Sequence, residues 1–300
     1  MAASYTSRDF FVSTMPISPA HAKAQPDRYA VIGNPIAQSK SPIIHGIFAA
    51  ATGQHIEYTK AEGRIGEFAQ HLDELRAGGM RGMNVTAPFK LDAFAYATHL
   101  SESAKLAGAV NALKFDGFEV HAENFDGSGL VRDIERNLST PLKGKRVLLL
   151  GAGGAVRGAL LPFARAEPAL LVIANRSLDK AQGLVSLLAA QSSVRAQACR
   201  YEDLRESFDV IVNGTSAFLF GESIAVPDAI FHTNSLAYDM TYGKGATPFL
   251  QQAKAAGAGQ MVDGVGMLVE QAALAFEWWR GVRPDTAQAI AQLSVPIDFS

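Results

Sequence analysis

The run KRVLLLGAGGAVRG, residues 145–158, decides how this chain folds. Lys145–Leu150 reads as a fully buried strand, a short apolar run bounded by turn residues. Gly151, Gly153, Gly154 and Gly158 follow, and a helix runs on to about Ala166. A strand that ends in glycines and turns directly into a helix exposes backbone amides, which suit a pyrophosphate. Gly151 and Gly153 fit the first two glycines of the dinucleotide fingerprint; Val156 stands at the third, and Gly154 and Gly158 offer a variant.

Toward the C-terminus the alternation continues. Strand 169–174 ends in Asn175-Arg176-Ser177, followed by a helix over 178–191 and strands over 194–199, 209–212 and 236–240. A helix over 247–257, a strand over 260–262, a long helix over about 266–280 and another from Asp285 complete the run. An NAD site carries a carboxylate about 20 residues beyond its glycines, on the ribose hydroxyls. Here Asn175 and Arg176 stand at the strand end, with Lys180 one turn later. A guanidinium clamps an adenosine 2′-phosphate that a carboxylate would repel, so the expected cofactor is NADP(H).

The N-terminal side has the same grammar. Strand 29–33 leads through a Pro/Asn/Ser loop to Ser41-Pro42, read as an N-cap with proline at the first helical position, then a helix over 43–51 ending at Gly53. A strand over 55–62 precedes a helix with Ile65, Phe68, Leu72 and Leu75 on one face. Strand 82–86 runs into Ala87-Pro88, with Pro88 read as opening a helix. Asp116-Gly117 joins strands 110–115 and 118–124 as a hairpin. Residues 125–129 break the pattern before a helix over 130–138. The expectation is an α/β fold of two domains: an N-terminal extension at 1–25, a substrate-binding catalytic domain at 26–126 completed by about 266–300, and a Rossmann-type NADP-binding domain at 127–265.

Charge and cysteine content exclude several function classes. A net charge of −2 gives no electrostatic footprint for nucleic acid or an anionic membrane. The single Cys199 excludes an internal disulfide framework and a cysteine-based zinc site, and no metal site is expected. No apolar run reaches the ~18 residues of a span, and no signal peptide is visible; a cytoplasmic location follows as an expectation.

Ser39 and Ser41, Thr86 and Lys90, Asn111, and Asp126 are polar residues in four separate loops at expected strand ends, where open α/β sheets bind ligands. With these in place the sequence resembles the shikimate dehydrogenase family. The resemblance rests on GNPIAQSKSPIIH (33–45), RGMNVTAPFK (81–90), AGAVNAL (107–113), NFDGSG (124–129), GAGGAVRG (151–158), NRSLDKA (175–181), YDMTY (238–242), TPFL (247–250) and DGVGMLVEQA (263–272), in the family's order. It implies an NADP-dependent oxidoreductase that interconverts 3-dehydroshikimate and shikimate on the way to chorismate and aromatic amino acids.

By the same resemblance, Ser39 and Ser41 hold the substrate carboxylate and Thr86, Lys90, Asn111 and Asp126 the ring hydroxyls, with Tyr242 and Gln271 as further substrate contacts. Gly151, Ala152, Gly153, Gly154, Ala155, Asn175, Arg176, Ser177, Lys180, Met240 and Gly264 match cofactor contacts. Lys90 is the expected proton donor, with Asp126 beside it. Lysine keeps its proton at neutral pH, so Lys90 reads as an acid or electrostatic stabiliser in the reducing direction, or as one member of a shared-proton pair. The chain departs from the family where Ala112 and Phe125 replace threonines and Gly214 an alanine. The first two departures leave open a quinate/shikimate dehydrogenase with altered preference. A non-catalytic ligand sensor on the same scaffold and an unrelated Rossmann oxidoreductase also stay open, as does a monomer or a homodimer.

Overall fold

The computed structural model describes residues 25–217 and 224–299; apart from Gln25, the expected N-terminal extension lies outside them. In chain order the first part comprises β1 (Asp27–Gly33), α1 (Ser41–Thr52), β2 (Ile56–Glu62), α2 (Phe68–Ala77), β3 (Met80–Val85), α3 (Lys90–Tyr96), β4 (His99–Leu100), α4 (Glu102–Ala107), β5 (Ala112–Asp116), β6 (Glu119–Glu123) and α5 (Asp126–Arg132). A turn of π-helix, Asp133–Asn137, leads to β7 (Arg146–Leu150), α6 (Gly154–Arg165), β8 (Leu170–Ala174), α7 (Leu178–Ala189), β9 (Ala196–Cys199), β10 (Val210–Asn213) and β11 (Leu236–Asp239). The chain closes with α8 (Pro248–Ala255), β12 (Gln260–Val262), α9 (Val265–Arg280) and α10 (Ala287–Leu293).

β7 organises the second sheet, whose order is β12-β11-β10-β7-β8-β9 with every neighbour parallel. Counted from β7 in chain order this is 3-2-1-4-5-6, the order of dinucleotide-binding sheets, with its switch point beside β7. Such a strand is buried on both faces. Val147 and Leu149 point into one core with Leu160 and Phe163 of α6. Leu148 and Leu150 point into another with Phe249 and Leu250 of α8.

The first sheet runs β2-β1-β3-β5-β6-β4. β1 is parallel to β2 and β3, β4 is parallel to β6, and only β5 runs antiparallel, as the second half of the β3–β5 pair and the first of the hairpin. One face packs Ile32, Met83 and Val85 against Phe68, Leu72 and Phe89. The other is covered by α1 and by α9, which returns from the far end of the chain. Ile44 and Phe48 meet Val269 and Phe276 there. Trp279 stacks on Tyr29 with ring centroids 4.8 Å apart and donates from Nε1 to the Leu113 carbonyl at 3.0 Å. A second tie joins β11 to the π-helical turn after α5: the Tyr238 hydroxyl donates to Asp133 Oδ2 at 2.7 Å.

The boundaries differ from the sequence reading where side chains override local signals. The helix after β3 opens at Lys90, not at Pro88: the Phe89 amide donates to the Thr86 carbonyl at 3.0 Å and closes a turn that holds Pro88. Ser41 is the first helical residue; Lys40 occupies the cap position without a side-chain bond. Ile65 stays outside α2 and exposed. The Asp126-Gly127-Ser128-Gly129 segment, expected as a break, is the first turn of α5. Its glycines are there for close approach: a Cβ on Gly127 would sit 2.4 Å from the Gly158 carbonyl, and one on Gly129 2.7 Å from the Gln271 amide. α5 is thereby clamped between α6 and α9. β4 and α4 had no counterpart in the sequence reading.

Candidate active site

A cavity of about 740 Å³ opens between the carboxyl ends of β1 and β3 and the glycine turn after β7. Of the residues singled out in the sequence, Ser39, Ser41, Thr86, Lys90, Asn111, Asp126, Tyr242 and Gln271 line it. Ala152, Gly153, Gly154, Ala155, Met240 and Gly264 line the opposite wall. Gly151 lies behind that wall at the end of β7, with φ +106°, a conformation only glycine adopts readily. Asn175, Arg176, Ser177 and Lys180 lie outside the cavity, at the end of β8 and the start of α7.

Lys90 opens α3 and Asp126 opens α5, so two helix N-termini bring these charges together. Lys90 Nζ donates to Asp126 Oδ2 at 2.5 Å, with both side chains partly solvent-accessible. Asp126 is held on its other side: Asn111 Nδ2 donates to Oδ1 at 2.8 Å, and the Asp126 amide donates to Asn124 Oδ1 at 3.2 Å. Asn111 is itself fixed, because its Oδ1 accepts the Phe125 amide at 2.8 Å. The same Nδ2 also reaches Gln271 Oε1 at 3.3 Å, which ties α9 into the site. The result is an ammonium whose position is set by a carboxylate that cannot turn.

At the cavity floor a second polar layer centres on the buried Asn84 and His45, with Tyr58 half-buried beside them. Asn84, on β3, accepts from the Tyr58 hydroxyl at 2.6 Å and from His45 Nε2 at 3.0 Å through one oxygen, Oδ1. Its Nδ2 donates to the Asn111 carbonyl at 3.4 Å. His45 stacks on Tyr58 with centroids 4.1 Å apart and 7° between planes. Burial pushes the His45 imidazole down to about 3, against the opposing effect of its bond to Asn84, so the ring is neutral and Nδ1 stays without a partner. Burial raises the Tyr58 hydroxyl well above its usual range, opposed in part by a hydrogen bond to Ser41. Ser41 in turn lies 3.3 Å from Ser39, Oγ to Oγ. A continuous polar chain therefore runs from Ser39 through Tyr58 and Asn84 to Asn111 and the Lys90–Asp126 pair.

The other wall is made of backbone. α6 begins at Gly154 behind Gly153, a cap residue with no side chain to bond the first turn, so the amides there remain available to an anion. At Gly153 and Gly154 an added Cβ would meet nothing within 4 Å, which leaves open space over the turn. At the end of β8 the side chains are Asn175, whose Nδ2 donates to the Ser177 carbonyl at 3.0 Å, and Arg176. This donor set, with Arg176 directly after β8 and the first carboxylate, Asp179, not reached until the first turn of α7, fits a dinucleotide that carries an extra phosphate.

Several lining residues were not singled out from the sequence: Gln38, Asn84, Asn124 and Arg157, and the apolar Leu91 and Met267. Asn84 and His45 carried a signal, since each is a polar residue inside an otherwise apolar strand or helix face and must find buried partners. Tyr58 carried none. Arg157 Nε donates to the Leu106 carbonyl at 2.6 Å, bridging α6 to the end of α4; α4 was itself unseen in the sequence. Ala112 and Phe125, expected near the ring acid, do not line the cavity. They pack with Tyr29, Trp278 and Trp279, Ala112 standing directly across from Asn84 of β3.

A parallel sheet in dinucleotide-binding order, set across a polar cavity from a second α/β sheet, defines a two-lobed oxidoreductase of the Rossmann type. Family models match along the chain: a shikimate dehydrogenase substrate binding domain at residues 31–113, a shikimate / quinate 5-dehydrogenase at 133–221 and a shikimate 5′-dehydrogenase C-terminal domain at 264–293. The chain belongs to the shikimate dehydrogenase family. It is 50% identical over 274 residues to the shikimate dehydrogenase (NADP(+)) of Aromatoleum aromaticum, covering 91% of this chain and 98% of the relative. It is 52% identical over 267 residues to that of Dechloromonas aromatica, covering 89% and 97%. The crystal structure of an Ael1 enzyme from Pseudomonas putida superposes with a TM-score of 0.87 at 54% identity, over 91% of this chain and all (100%) of that one. The shikimate 5-dehydrogenase of Thermus thermophilus in complex with NADP(H) and shikimate gives 0.78 at 30% identity, covering 89% and 100%.

Proposed function

We propose that this chain catalyses the NADP-dependent, reversible reduction of 3-dehydroshikimate to shikimate, on the route to chorismate and the aromatic amino acids. The observation that carries the reading is the Lys90–Asp126 pair, fixed by Asn111 and facing the Gly153–Gly154 turn across one cavity. Ser39 and Ser41 hold the substrate carboxylate at the mouth of the loop after β1. Thr86, Asn111, Asp126, Tyr242 and Gln271 hold the ring and its hydroxyls. Gly151–Ala155 would hold the pyrophosphate on backbone amides, Asn175, Arg176, Ser177 and Lys180 would hold the adenosine end and its 2′-phosphate, and Met240 and Gly264 would contact the nicotinamide.

Bound NADP(H) supplies or accepts the hydride. Lys90 supplies the proton: its ammonium stands against the substrate oxygen and donates as negative charge develops there. Asp126, locked by Asn111, keeps Nζ in place and stabilises the cation until the oxygen needs it. In the oxidising direction the same pair receives the hydroxyl proton. Leu91, Met267 and Leu268 give the cavity an apolar stretch beside the polar wall.

We divide the chain into a catalytic domain of residues 26–126 completed by about 266–300, and a nucleotide domain of residues 127–265. No helix among the described residues is long and apolar enough to cross a membrane. We place the enzyme in the cytoplasm, as a monomer or homodimer. Initial rates on shikimate and quinate with NADP+ and with NAD+ test the reading. The highest kcat/KM is expected for shikimate with NADP+. A higher value on quinate overturns the substrate, and no cofactor reduction with either acid overturns the activity.

A further inference from the structure

Far from the cavity, the edge of the first sheet brings two imidazoles and a carboxylate together. β4 and β6 are parallel neighbours with His99 opposite His121, so both side chains stand on the same face. Glu119 is two residues before His121 on β6, and a strand's period of two puts it on that face as well. The stacked rings of His99 and His121 have centroids 4.8 Å apart. His99 Nε2 lies 3.4 Å from Glu119 Oε1 and His121 Nε2 lies 3.3 Å from Oε2. All three donor atoms fall within 4.8 Å of one another.

Two bonds of about 2.0–2.1 Å at a tetrahedral angle place their ligand atoms about 3.3 Å apart. Each imidazole nitrogen is already at that spacing from one oxygen of Glu119, His99 from Oε1 and His121 from Oε2; bringing both nitrogens to a single oxygen takes side-chain rotation at two exposed residues and one part-exposed one. The local charge also favours a cation. Asp116 stands opposite Glu119 across the hairpin and adds a second carboxylate to the edge. Lys114, opposite His121, is drawn off to the Trp278 carbonyl at 3.2 Å and does not compete.

We propose that His99, Glu119 and His121 form a surface site for a borderline divalent metal ion, zinc foremost, with its fourth position left to water. Two imidazoles and one carboxylate select zinc, copper or nickel over magnesium or calcium. None of the three lines the cavity, so the ion takes no part in the reaction. Its effect is to pin β4, a strand of only two residues, onto β6. β6 runs directly into Asn124 and Asp126, and β4 into α4, whose end lines the cavity.

Titration of the untagged full chain with Co2+, followed by visible absorption and by imidazole NMR, tests the site, with Zn2+ measured against a chromogenic chelator. One equivalent of metal per chain is expected, with tetrahedral cobalt bands and paramagnetic displacement of the His99 and His121 ring signals in the wild type. His99→Ala and His121→Ala are each expected to weaken zinc binding by more than about tenfold, because each removes a ligand outright, while His55→Ala leaves it unchanged. Ring signals of other histidines moving in place of these two, zinc affinity unaltered in His121→Ala, or no saturable uptake by the wild type would each overturn the proposal.

Discussion

The two walls of the cavity are built on opposite principles. The wall from the first sheet is a lattice of side chains: Lys90, Asp126, Asn111, Asn84 and Tyr58 fix one another through hydrogen bonds of 2.5–3.4 Å. The wall from the second sheet is made by leaving side chains out, so that amides at Gly153 and Gly154 face open space. The first wall recognises a small, asymmetric ring whose every group must be met. The second grips a long anion whose charge is repetitive and whose chemistry is its own. The difference teaches where each wall is vulnerable: the first to the loss of single atoms, the second to a change of charge at its outer end.

The largest effect expected is at Lys90. Lys90→Ala removes the proton donor, and a positioned acid contributes about 10²–10⁴-fold; kcat is expected to fall by that range while the KM for NADP+ stays within about twofold. Ser39→Ala serves as the contrast on the same wall, with the loss falling mainly on KM for the ring acid. Steady-state rates on both variants separate the two, and Lys90→Ala with wild-type kcat would refute the assignment. Next in size is Arg176. Arg176→Ala is expected to raise the KM for NADP+ about 10–100-fold, the loss of one charge-assisted phosphate contact of about 1.5–3 kcal/mol. NAD+ turnover should be little changed. Equal loss with both cofactors would place Arg176 in general packing and not at a 2′-phosphate.

The contrast between the walls also explains what could be read from the sequence alone. The second sheet was legible almost to the residue, because a glycine turn after a buried strand and the βα alternation are local patterns; β12 at Gln260–Val262 was placed without error. The first wall was legible as single polar residues but not as a network. The family resemblance put Asp126 beside Lys90, as the structure has them; that Asn84 is held by Tyr58 depends on a contact between residues 26 apart, which no spacing rule encodes. The glycines of α5 misled for a physical reason: Gly127 and Gly129 stand in a helix because α6 and α9 leave no room for a Cβ, and without those partners they look like a break. β4 is two residues long, too short to show a period, so neither it nor the His99–Glu119–His121 cluster had a sequence signature.

Third in size is a stability effect that sharpens the comparison, because it probes the buried layer behind the first wall only. The His45 imidazole goes from an ordinary 6.5 to about 3 on folding, through burial. Between these values the unfolded chain binds the extra proton, so this contribution rises with pH: it is fully present above the unfolded value and is lost as pH falls toward the folded one. Between pH 7 and pH 5 the wild type is expected to lose about 2 kcal/mol more than His45→Gln. Urea unfolding at the two pH values measures it; parallel losses in both proteins would mean that the buried ring is not held neutral.

The smallest effect is the most discriminating. The Tyr58 hydroxyl donates to Asn84 Oδ1 at 2.6 Å, and Asn84 reaches the Asn111 carbonyl, whose side chain holds Asp126. Tyr58→Phe removes that one donor and keeps the ring that stacks on His45. Asn84 Oδ1 retains the His45 bond, so it is not left unpaired, and the cost is that of the hydroxyl's two bonds, to Asn84 and Ser41, at about 0.5 kcal/mol each. Delivered through Asn84 and Ser41 to the ring-acid side, this becomes about a fivefold rise in the KM for shikimate, with the KM for NADP+ unchanged. A general loosening of the fold would move both constants. If they rise together in Tyr58→Phe, the side-chain wall is not an independent unit, and the division of labour between the two walls fails with it.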